Sequence, residues 1–466
     1  MTSPAAMIAH VTDTQRRIGS LAICLGTLAV PLDSSVNVAF PDIVNAFHLP
    51  IPDIQWIVIA YTLTYAALML ACGRAGDIVG YRPIFLTGCI TGVVAFTLCA
   101  LAPTYGLLLG ARVLQGIAAA LALSCGPALL TALYPEDQRT RVLGLYTLVF
   151  GVGGALGPFV GGFLVQQWGW PAVYAFRVPI AALALVTGFA LPASAARRGG
   201  SFDALGATLS VAAIAALLLA LNQLQHADSL LLLVVLVALF VALTVAFIMQ
   251  QRRAAHPVID LTYFRDADFS LLNIGQTLLN LAAFAIWLLV PFYLARISGL
   301  SNQAAGAMLA IAPIGVAIAG PIAGRFAGEA NARRVAIAGA AAIALGTFMM
   351  GSTAGGLALI GLAALLQGLG LGLYQVAYLD IATATLPVAD RGVAGSLVMM
   401  TRTLGIVMGA TVLTLAFQRF QNGALADGAE PRAAFITGFA AAFDLAAALS
   451  LGVVVAALAR GWARKA

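Results

Sequence analysis

Residues 73–82 read G-R-A-G-D-I-V-G-Y-R and lie between two long apolar runs near residues 54–72 and 84–102. Within this stretch are three glycines, two arginines and one aspartate. Charged side chains and unpaired backbone groups are costly in hydrocarbon, so the stretch is predicted to be a loop at a membrane surface. Its arginines place the loop on the cytoplasmic side, where membrane proteins concentrate basic residues.

Composition supports a membrane protein. The chain is 62% hydrophobic and only 9% charged, and its mean hydropathy is +0.99. A soluble globule usually has about 25% charged residues, so that class is excluded. Apolar runs near twenty residues are typical of spanning helices rather than of barrel strands. We therefore predict an all-α polytopic membrane protein.

The distribution of basic residues predicts fourteen transmembrane helices with both termini in the cytoplasm. In that arrangement the inner side holds 18 of the 24 basic residues and the outer side holds three. A missed or added helix would reverse every later loop and destroy this asymmetry. The loops also account for the +6 net charge, so no nucleic-acid partner is expected.

The sequence contains an internal repeat. Leu114-Gln115-Gly116 recurs as Leu366-Gln367-Gly368, 252 residues later, and Gly153 and Gly157 recur at the same offset as Gly405 and Gly409. We predict an N-terminal half of six helices in residues 1–192, a linker with two inserted helices in 193–257, and a C-terminal half of six helices in 258–466. Two pseudo-symmetric halves around a midplane site are typical of transporters.

The fifth predicted span carries a glycine-rich face. Gly153, Gly157 and Gly161 form a stripe at i+4 spacing, and Pro158 and Gly162 belong to a neighbouring stripe. Such a face lets two helix backbones touch and slide. Tight helix packing without any role in transport is the alternative interpretation.

Three of these segments resemble a known family. Residues 73–82 resemble the loop G-x-x-x-D-(R/K)-x-G-(R/K)-(R/K) of the major facilitator superfamily, although Ile78 and Tyr81 stand at positions that usually hold basic residues. The fifth span resembles the antiporter signature of the drug-efflux branches. Residues 32–41, L-D-S-S-V-N-V-A-F-P, add a resemblance to the fourteen-helix drug:proton antiporters, with one residue fewer than the form typical of that family.

The resemblance implies alternating access, with a conformational switch formed by Gly73, Arg74, Asp77, Gly80, Arg82, Gly153, Gly157, Pro158, Gly161 and Gly162.

Six ionisable residues fall within predicted spans, and charge inside a membrane is functional by default. Asp33 and Arg112 lie at similar depth in the first and fourth spans, so they are predicted to pair. Residues 112–116 also resemble the R-x-x-Q-G of the family's fourth helix. Asp33 is interpreted as the proton carrier, because rearrangement of the pair would change its protonation. A permanent structural ion pair is the alternative.

The other acidic residues in spans are assigned to proton coupling with less support. Asp444 and Arg402 lie at mid-depth in the last two spans and are predicted to form a C-terminal ion pair, or a second protonation site. Asp380 lies near the cytoplasmic end of the twelfth span. It is expected to latch an inner loop, through Arg325 or Arg391, rather than to bind substrate.

A substrate cavity is predicted from polar and aromatic stripes. The ninth span has an all-polar stripe, interpreted as the wall of a water-filled cavity or, alternatively, as a set of side chains that hydrogen-bond to neighbouring helices. Arg177 stands where the family usually has asparagine; it either binds an anionic or zwitterionic substrate or reaches the outer interface by snorkelling. The predicted cavity residues are Asn37, Gln115, Arg177, Asn273, Gln276, Asn280, Trp287, Gln367, Tyr374 and Tyr378.

Motifs for nucleotide, zinc-protease and serine-hydrolase chemistry are absent from the sequence, so we expect no enzyme, cofactor or metal. The most favoured function is proton-coupled export of amphipathic small molecules or drugs by a monomer in the cytoplasmic membrane. An exporter or importer dedicated to one metabolite, possibly anionic, is the first alternative. A non-transporting membrane sensor or scaffold is the second.

Overall fold

The computed structural model describes residues 12–135, 138–192, 203–226, 230–254, 261–326, 331–352, 356–385 and 391–463. Contacts divide the chain into two compact units. The first unit contains residues 1–49 and 56–208, and the second contains residues 50–55 and 209–466.

The first unit is built from helices joined by short turns. They are α1 (Asp13–Leu28), α2 (Gln55–Val79), α3 (Tyr81–Ala100), α4 (Tyr105–Ala132), α5 (Arg139–Trp168) and α6 (Arg177–Gly188), with shorter helical segments at Pro31–Ser34, Ser35–Val38, Phe40–Ala46 and Ala172–Ala175. Side-chain caps fix where some helices begin: the Thr104 hydroxyl accepts from the Leu107 amide at 3.3 Å at the start of α4. Helix α3 packs against α4 and α6, and α1 packs against α6.

The second unit contains most of the remaining helices. Helix α7 (Ala204–His226) is shared between the units, because the division falls between Thr208 and Leu209. The others are α8 (Leu230–Arg253), α9 (Ala267–Phe292), α10 (Ile311–Phe326), α11 (Ala332–Gly351), α12 (Gly356–Thr385), α13 (Arg391–Ala426) and α14 (Pro431–Ala459), with the 3₁₀ segment Leu261–Arg265, the π-helical turn Tyr293–Ile297 and the segment Asn302–Leu309.

Two packing groups organise the second unit. Helix α12 packs against α10 and α11, and α13 packs against α9 and α14. Helix α9 is the most buried, with 83% of its most apolar window inside the structure. Helix α8 is the opposite case: its mean hydropathy is 3.3 and none of that window is buried. Exposed apolar surface around a whole helix is stable only against lipid.

Eleven helices in the described part of the chain are long and apolar enough to cross a membrane. Two shorter apolar helices, Ala172–Gly188 and Thr208–Leu217, fall below that length. The prediction of an all-helical fold with many spans is confirmed. The number fourteen and the cytoplasmic position of both termini stay predictions.

The internal repeat corresponds to the same helix contact in each unit. Cβ atoms added at Gly153 and Gly161 would meet Pro31 and Ser35 of the first span, between 2.6 and 2.7 Å away. At Gly409, the repeat partner of Gly157, an added Cβ would lie 2.8 Å from the Leu281 carbonyl oxygen of α9. Glycines of α5 thus face the first span in the first unit, and Gly409 of α13 faces α9 in the second unit.

The loop predicted at residues 73–82 is shorter in the structure. Helix α2 continues to Val79, Gly80 alone breaks the chain with φ of +105°, and α3 begins at Tyr81. Only glycine adopts this φ without strain, so a single residue makes the turn. The helix continues through the charged segment because an α-helix forms its backbone hydrogen bonds internally, both inside the membrane and beyond its surface.

Candidate functional site

Asp33 lies where the first span is interrupted. Helix α1 ends at Leu28, and Pro31 starts a 3₁₀ turn that ends at Ser34. Proline lacks a backbone N–H and clashes with the preceding turn, which favours an interruption of the α-helix at Pro31. The Asp33 amide bonds the Val30 carbonyl at 3.0 Å in this turn. The break presents the Asp33 side chain to α4 and α6.

The Asp33 carboxylate accepts four hydrogen bonds from three side chains. Arg112 donates to both oxygens, from Nη1 to Oδ1 at 2.6 Å and from Nη2 to Oδ2 at 2.8 Å. Oδ1 also accepts from Gln115 Nε2 at 2.8 Å and from Arg177 Nη1 at 2.7 Å. A carboxylate that only accepts, and accepts from two guanidinium groups, is held in its ionised form. The predicted Asp33–Arg112 pair is present, with a second arginine added to it.

Arg112 is fixed in place by further contacts. Its Nε donates to the Ile57 carbonyl of α2 at 2.9 Å, and Nη1 donates to Gln115 Oε1 at 2.8 Å. The guanidinium also lies 4.5 Å from the centre of the Tyr61 ring, within cation–π distance. Arg112 therefore donates four hydrogen bonds, and the Tyr61 ring lies against its guanidinium.

Arg177 lies inside the unit rather than at the interface. Its side chain is 0% exposed, its Nε donates to the Val173 carbonyl at 3.1 Å, and its guanidinium lies 4.7 Å from the Phe96 ring centre. The snorkelling interpretation is therefore wrong. Attraction to the buried Asp33 carboxylate outweighs hydration of the guanidinium at the membrane interface. A buried Asp33 carboxylate without a partner would cost on the order of several kcal/mol.

The glycine face of α5 packs against the interrupted part of the first span. A Cβ at Gly153 would lie 2.6 Å from Pro31, one at Gly157 would overlap Ser34, and one at Gly161 would lie 2.7 Å from Ser35. The Ser34 hydroxyl donates to the Gly154 carbonyl at 3.2 Å. Pro158 and Gly162 are buried as well. The two predicted features, the glycine stripe and Asp33, thus meet at one contact.

The predicted switch loop lies apart from this contact. Arg82 Nη2 donates to the Phe189 carbonyl at 2.8 Å, tying the start of α3 to the end of α6. Gly73 and Gly80 lie at the end of α2 and in the turn after it. The side chains of Arg74 and Asp77 lie outside the described residues.

In the second unit, the predicted cavity wall is a helix contact. Asn273, Gln276 and Asn280 of α9 are at most 4% exposed, and so are three residues of α12, Gln367, Tyr374 and Tyr378. In the described structure these six side chains are buried in the contact between two helices, and their role in substrate binding stays a prediction. Five of these side chains form hydrogen bonds with a neighbouring helix or with their own helix, which is the reason that they remain stable when buried. Gln276 differs, because its Oε1 and Nε2 are buried without a hydrogen-bond partner among the described residues.

The hydrogen bonds of this contact join α12 to α9. Tyr378 Oη donates to Asn273 Oδ1 at 2.6 Å, Tyr374 Oη donates to the Leu272 carbonyl at 3.2 Å, and Gln367 Nε2 reaches the Ala282 carbonyl at 3.5 Å. Trp287 on α9 and Asn37 on the first span are half-buried. Their predicted role in substrate binding stays a prediction.

The C-terminal ion pair is not formed. Among the described residues, the ion pairs do not include one between Asp444 and Arg402. Asp444 is exposed on α14 with Oδ1 near Gly351 of α11, whereas Arg402 is half-buried on α13. Equal depth in two spans does not make two side chains pair, because the rotation of each helix about its axis decides which of its faces contacts the neighbouring helix. Asp380 is exposed, and the side chains of its suggested partners, Arg325 and Arg391, lie outside the described residues.

A cavity adjoins the Asp33 cluster within the first unit. It lies among α1, α2, α3, α4 and α6, and its volume is about 30 Å³. Glycine and alanine form most of its wall, and Gln115 and Tyr61 supply polar groups. Its other aromatic lining residue is Phe96, whose ring centre lies 4.7 Å from the Arg177 guanidinium.

Sequence reasoning missed the aromatic contacts of the site. Tyr61, Phe96 and Tyr174 surround the two arginines, and Tyr174 lies one helical turn before Arg177. Aromatic rings at helical spacing from an intramembrane arginine are a usable signal for cation–π contacts. A further ion cluster was also missed: Asp268 accepts from Arg460 Nε at 3.0 Å and lies 3.7 Å from Arg333 Nη2.

The sequence matches the family model described as Major Facilitator Superfamily over residues 23–263. It is 30% identical over 400 residues to the multidrug resistance protein Stp of Mycobacterium tuberculosis, covering 84% of this chain and 74% of that protein. It is 31% identical over 405 residues to the tetracenomycin C resistance and export protein of Streptomyces glaucescens, with the same 84% and 74% coverage. It is 27% identical to the riboflavin transporter RibZ of Clostridioides difficile, covering 86% and 88%.

The structure is similar to a crystal structure of the peptide transporter POT in complex with sulfate. The TM-score is 0.73, and the match covers 99% of this chain and 98% of the other at 14% sequence identity. At this identity the likeness concerns the fold alone.

Proposed function

Because this chain belongs to the major facilitator superfamily, we propose that it exports amphipathic small molecules across the cytoplasmic membrane in exchange for protons. Membership of this family supports a membrane transporter. Relatives that confer drug resistance support export and an amphipathic substrate. The riboflavin transporter supports the alternative of a single dedicated metabolite.

The observation that carries the proposal is the Asp33 cluster. Its two arginines are 1% and 0% exposed, whereas the Asp33 side chain is 14% exposed. The carboxylate is thus the least enclosed of the three charged groups, which favours it as the group that exchanges a proton. Protonation of Asp33 would remove the charge that holds Arg112 and Arg177, and both side chains would then seek other partners. Such a rearrangement is what a proton-driven conformational change requires.

The contact of α5 with the first span couples this rearrangement of side chains to a movement of α5. Pro31, Ser34 and Ser35 flank Asp33 and occupy the space into which Cβ atoms on Gly153, Gly157 and Gly161 of α5 would project. If the conformation of the short 3₁₀ turn changes, α5 must therefore move with the turn or lose its contact with it. Closely packed interiors are hardly compressible and transmit such displacements. We propose that this contact, together with the turn at Gly80, is the conformational switch.

The same proposal includes the full topology. Fourteen transmembrane helices, two six-helix halves around a two-helix insert and cytoplasmic termini fit the distribution of arginines in the sequence. The exposed apolar surface of α8 supports an insert that faces lipid. Single cysteines in the predicted loops, labelled from one side of sealed cells, test the topology; labelling of residues near both termini from outside would refute it.

The experiment that tests the function uses inside-out membrane vesicles with an acid interior reported by a quenched pH dye. Cationic, neutral and anionic amphipathic compounds are added in turn. We expect a transported compound to release the trapped protons in vesicles with the wild-type protein. Asp33→Asn should abolish this release, because the amide keeps the size of the side chain but does not carry a proton as the carboxylate does.

The control is Asp13→Asn. Asp13 is an exposed carboxylate whose ion pair with Arg16 joins two positions on the surface of one helix, where such pairs contribute little. Its replacement should leave proton release unchanged. Release that persists in Asp33→Asn, with normal amounts of protein in the membrane, would exclude Asp33 as the proton carrier.

A further inference from the structure

The ion cluster around Asp268 joins the ends of three helices of the second unit. Asp268 lies in the first turn of α9, Arg333 lies in the first turn of α11, and Arg460 directly follows α14. The Asp268 carboxylate accepts from Arg460 Nε at 3.0 Å and lies 3.7 Å from Arg333 Nη2. Arg334, next to Arg333, donates from Nε to the Ala463 carbonyl at 3.2 Å. The three arginines therefore form one group, which we call the arginine patch.

Positive charge exceeds negative charge in the arginine patch. Among the described residues, Asp268 is the only acidic side chain that forms an ion pair with Arg333, Arg334 or Arg460. The Asp268 side chain is 12% exposed, whereas Arg333 is 32% and Arg460 is 47% exposed, and Arg334 is exposed as well. Three positive charges against one negative charge attract a further anion to this surface.

Two buried N–H groups near the patch lack a hydrogen-bond partner. They are Arg333 Nε and Trp462 Nε1, and neither has a partner among the described residues. The Trp462 side chain is 1% exposed and lies between Arg460 and Ala463 in the chain. Helix α11 adds further donors, because its N-cap residue Asn331 makes no side-chain cap hydrogen bond and the first N–H groups of a helix need an acceptor from outside. This end of the unit is thus rich in donors and poor in acceptors.

The arginine patch lies where the exposed apolar faces of two spans end. One face of α11 is exposed along its length and consists of Arg334, Ala338, Ala341, Leu345 and Phe348. Helix α14 exposes Leu451, Val455 and Leu458 shortly before Arg460. Both helices are long and apolar enough to cross a membrane. Acyl chains cover such faces in a membrane, so the arginines at their ends lie at the depth of lipid head groups.

We propose that the arginine patch binds the phosphate group of an anionic phospholipid, whose acyl chains lie along α11 and α14. Arg334 and Arg460 each use only Nε in the hydrogen bonds described above, so their Nη groups can donate to phosphate oxygens. Such bonds are charge-assisted, and arginine suits phosphate in particular. An anionic lipid fits better than a zwitterionic one, because a cationic head group adds positive charge to a patch that already has a surplus. A lipid fits better than a soluble phosphate, because the apolar faces of both helices lead directly to the patch.

Native mass spectrometry of the purified full-length protein tests the proposal. The two probes are phosphatidylglycerol, which is anionic, and phosphatidylcholine with the same acyl chains, which is zwitterionic. We expect phosphatidylglycerol to bind about fivefold or more tightly, since one basic residue beside an anionic lipid contributes about that factor. Equal affinities for the two lipids would overturn the proposal without reference to any variant.

Arg334→Gln locates the site, because it removes an exposed arginine and leaves both contacts of Asp268 in place. Phosphatidylglycerol should bind this variant about fivefold more weakly, and Arg334→Lys, which keeps the charge, should lose less. The matched control is Arg253→Gln, which removes an exposed arginine at the end of α8 and should bind phosphatidylglycerol like the wild type. Melting temperatures measured without added lipid check that each variant is folded. Unchanged phosphatidylglycerol affinity in folded Arg334→Gln, or an equal loss in Arg253→Gln, would overturn the assignment.

Inorganic phosphate distinguishes a lipid site from a site for a soluble anion. Sodium phosphate carries the same chemical group without acyl chains. At equal ionic strength it should displace phosphatidylglycerol no better than sodium chloride does. Displacement by phosphate well beyond that by chloride, in the wild type but not in Arg334→Gln, would indicate a soluble anion site and refute the lipid site.

Discussion

Gly161→Ala is expected to separate α5 from the first span and to reduce transport. A Cβ at this position would lie 2.7 Å from the Ser35 Cβ and backbone oxygen and 2.8 Å from its Cα. Carbon atoms in contact normally lie about 3.5–4.0 Å apart, so the two backbones must move apart by roughly 1 Å. Most of the obstruction is backbone, which has no alternative rotamer.

The cost follows from the same geometry. Overpacking by one methyl group in a close-packed interior costs about 1–3 kcal/mol. Ser35 lies two residues from Asp33, so the displacement also disturbs the carboxylate that the two arginines hold. We expect a lower melting temperature of the purified protein and, where this cost falls on the transport step, proton release that is slower by about fivefold or more in the vesicle assay, since 1.4 kcal/mol corresponds to a factor of ten.

The matched control is Gly154→Ala on the same helix. Nothing lies within 4 Å of a Cβ at that position, and alanine is a better helix former than glycine by up to about 1 kcal/mol. This variant should have an unchanged or higher melting temperature and normal transport. Equal effects of the two substitutions would refute the close contact between α5 and the first span.

Three further outcomes follow from the structure. Arg112→Lys replaces a two-point contact with the Asp33 carboxylate by a single one, so the melting temperature and proton release should both fall, by more than for the exposed control Arg419→Lys. Tyr378→Phe removes a 2.6 Å bond and leaves Asn273 Oδ1 without it, which should lower the free energy of unfolding by about 1–3 kcal/mol while transport persists. Because Asp444 and Arg402 do not pair, their neutral variants should affect melting additively, within about 0.5 kcal/mol; a larger coupling in a double-mutant cycle would contradict the structure.

The glycine stripe illustrates how far residue types alone lead. Spacing at i+4 identified a smooth face on the fifth span, and smooth faces in membranes pack closely. Spacing does not name the helix that packs there. The structure places Pro31, Ser34 and Ser35 against it, next to Asp33, and so joins two features that the sequence left apart.

Depth and rotation limited the assignment of charged residues. Asp33 and Arg112 matched in depth and do pair, whereas Asp444 and Arg402 matched in depth and do not. Depth follows from counting residues along a span at 1.5 Å each. The direction in which a side chain points depends on how each helix is rotated against its neighbours, and that is a property of the packed bundle.

By itself the sequence determined that the chain is helical, crosses a membrane many times, contains a repeat and resembles a transporter family, because hydropathy and charge act locally on each segment. Only the tertiary structure decided that Arg177 turns inward to a second bond with Asp33, that the polar faces of α9 and α12 meet each other, and that a cavity adjoins the cluster. These outcomes depend on contacts between segments distant in the chain. A buried polar group that lacks a hydrogen-bond partner costs free energy, and this cost favours one arrangement of the helices over another only when they pack together.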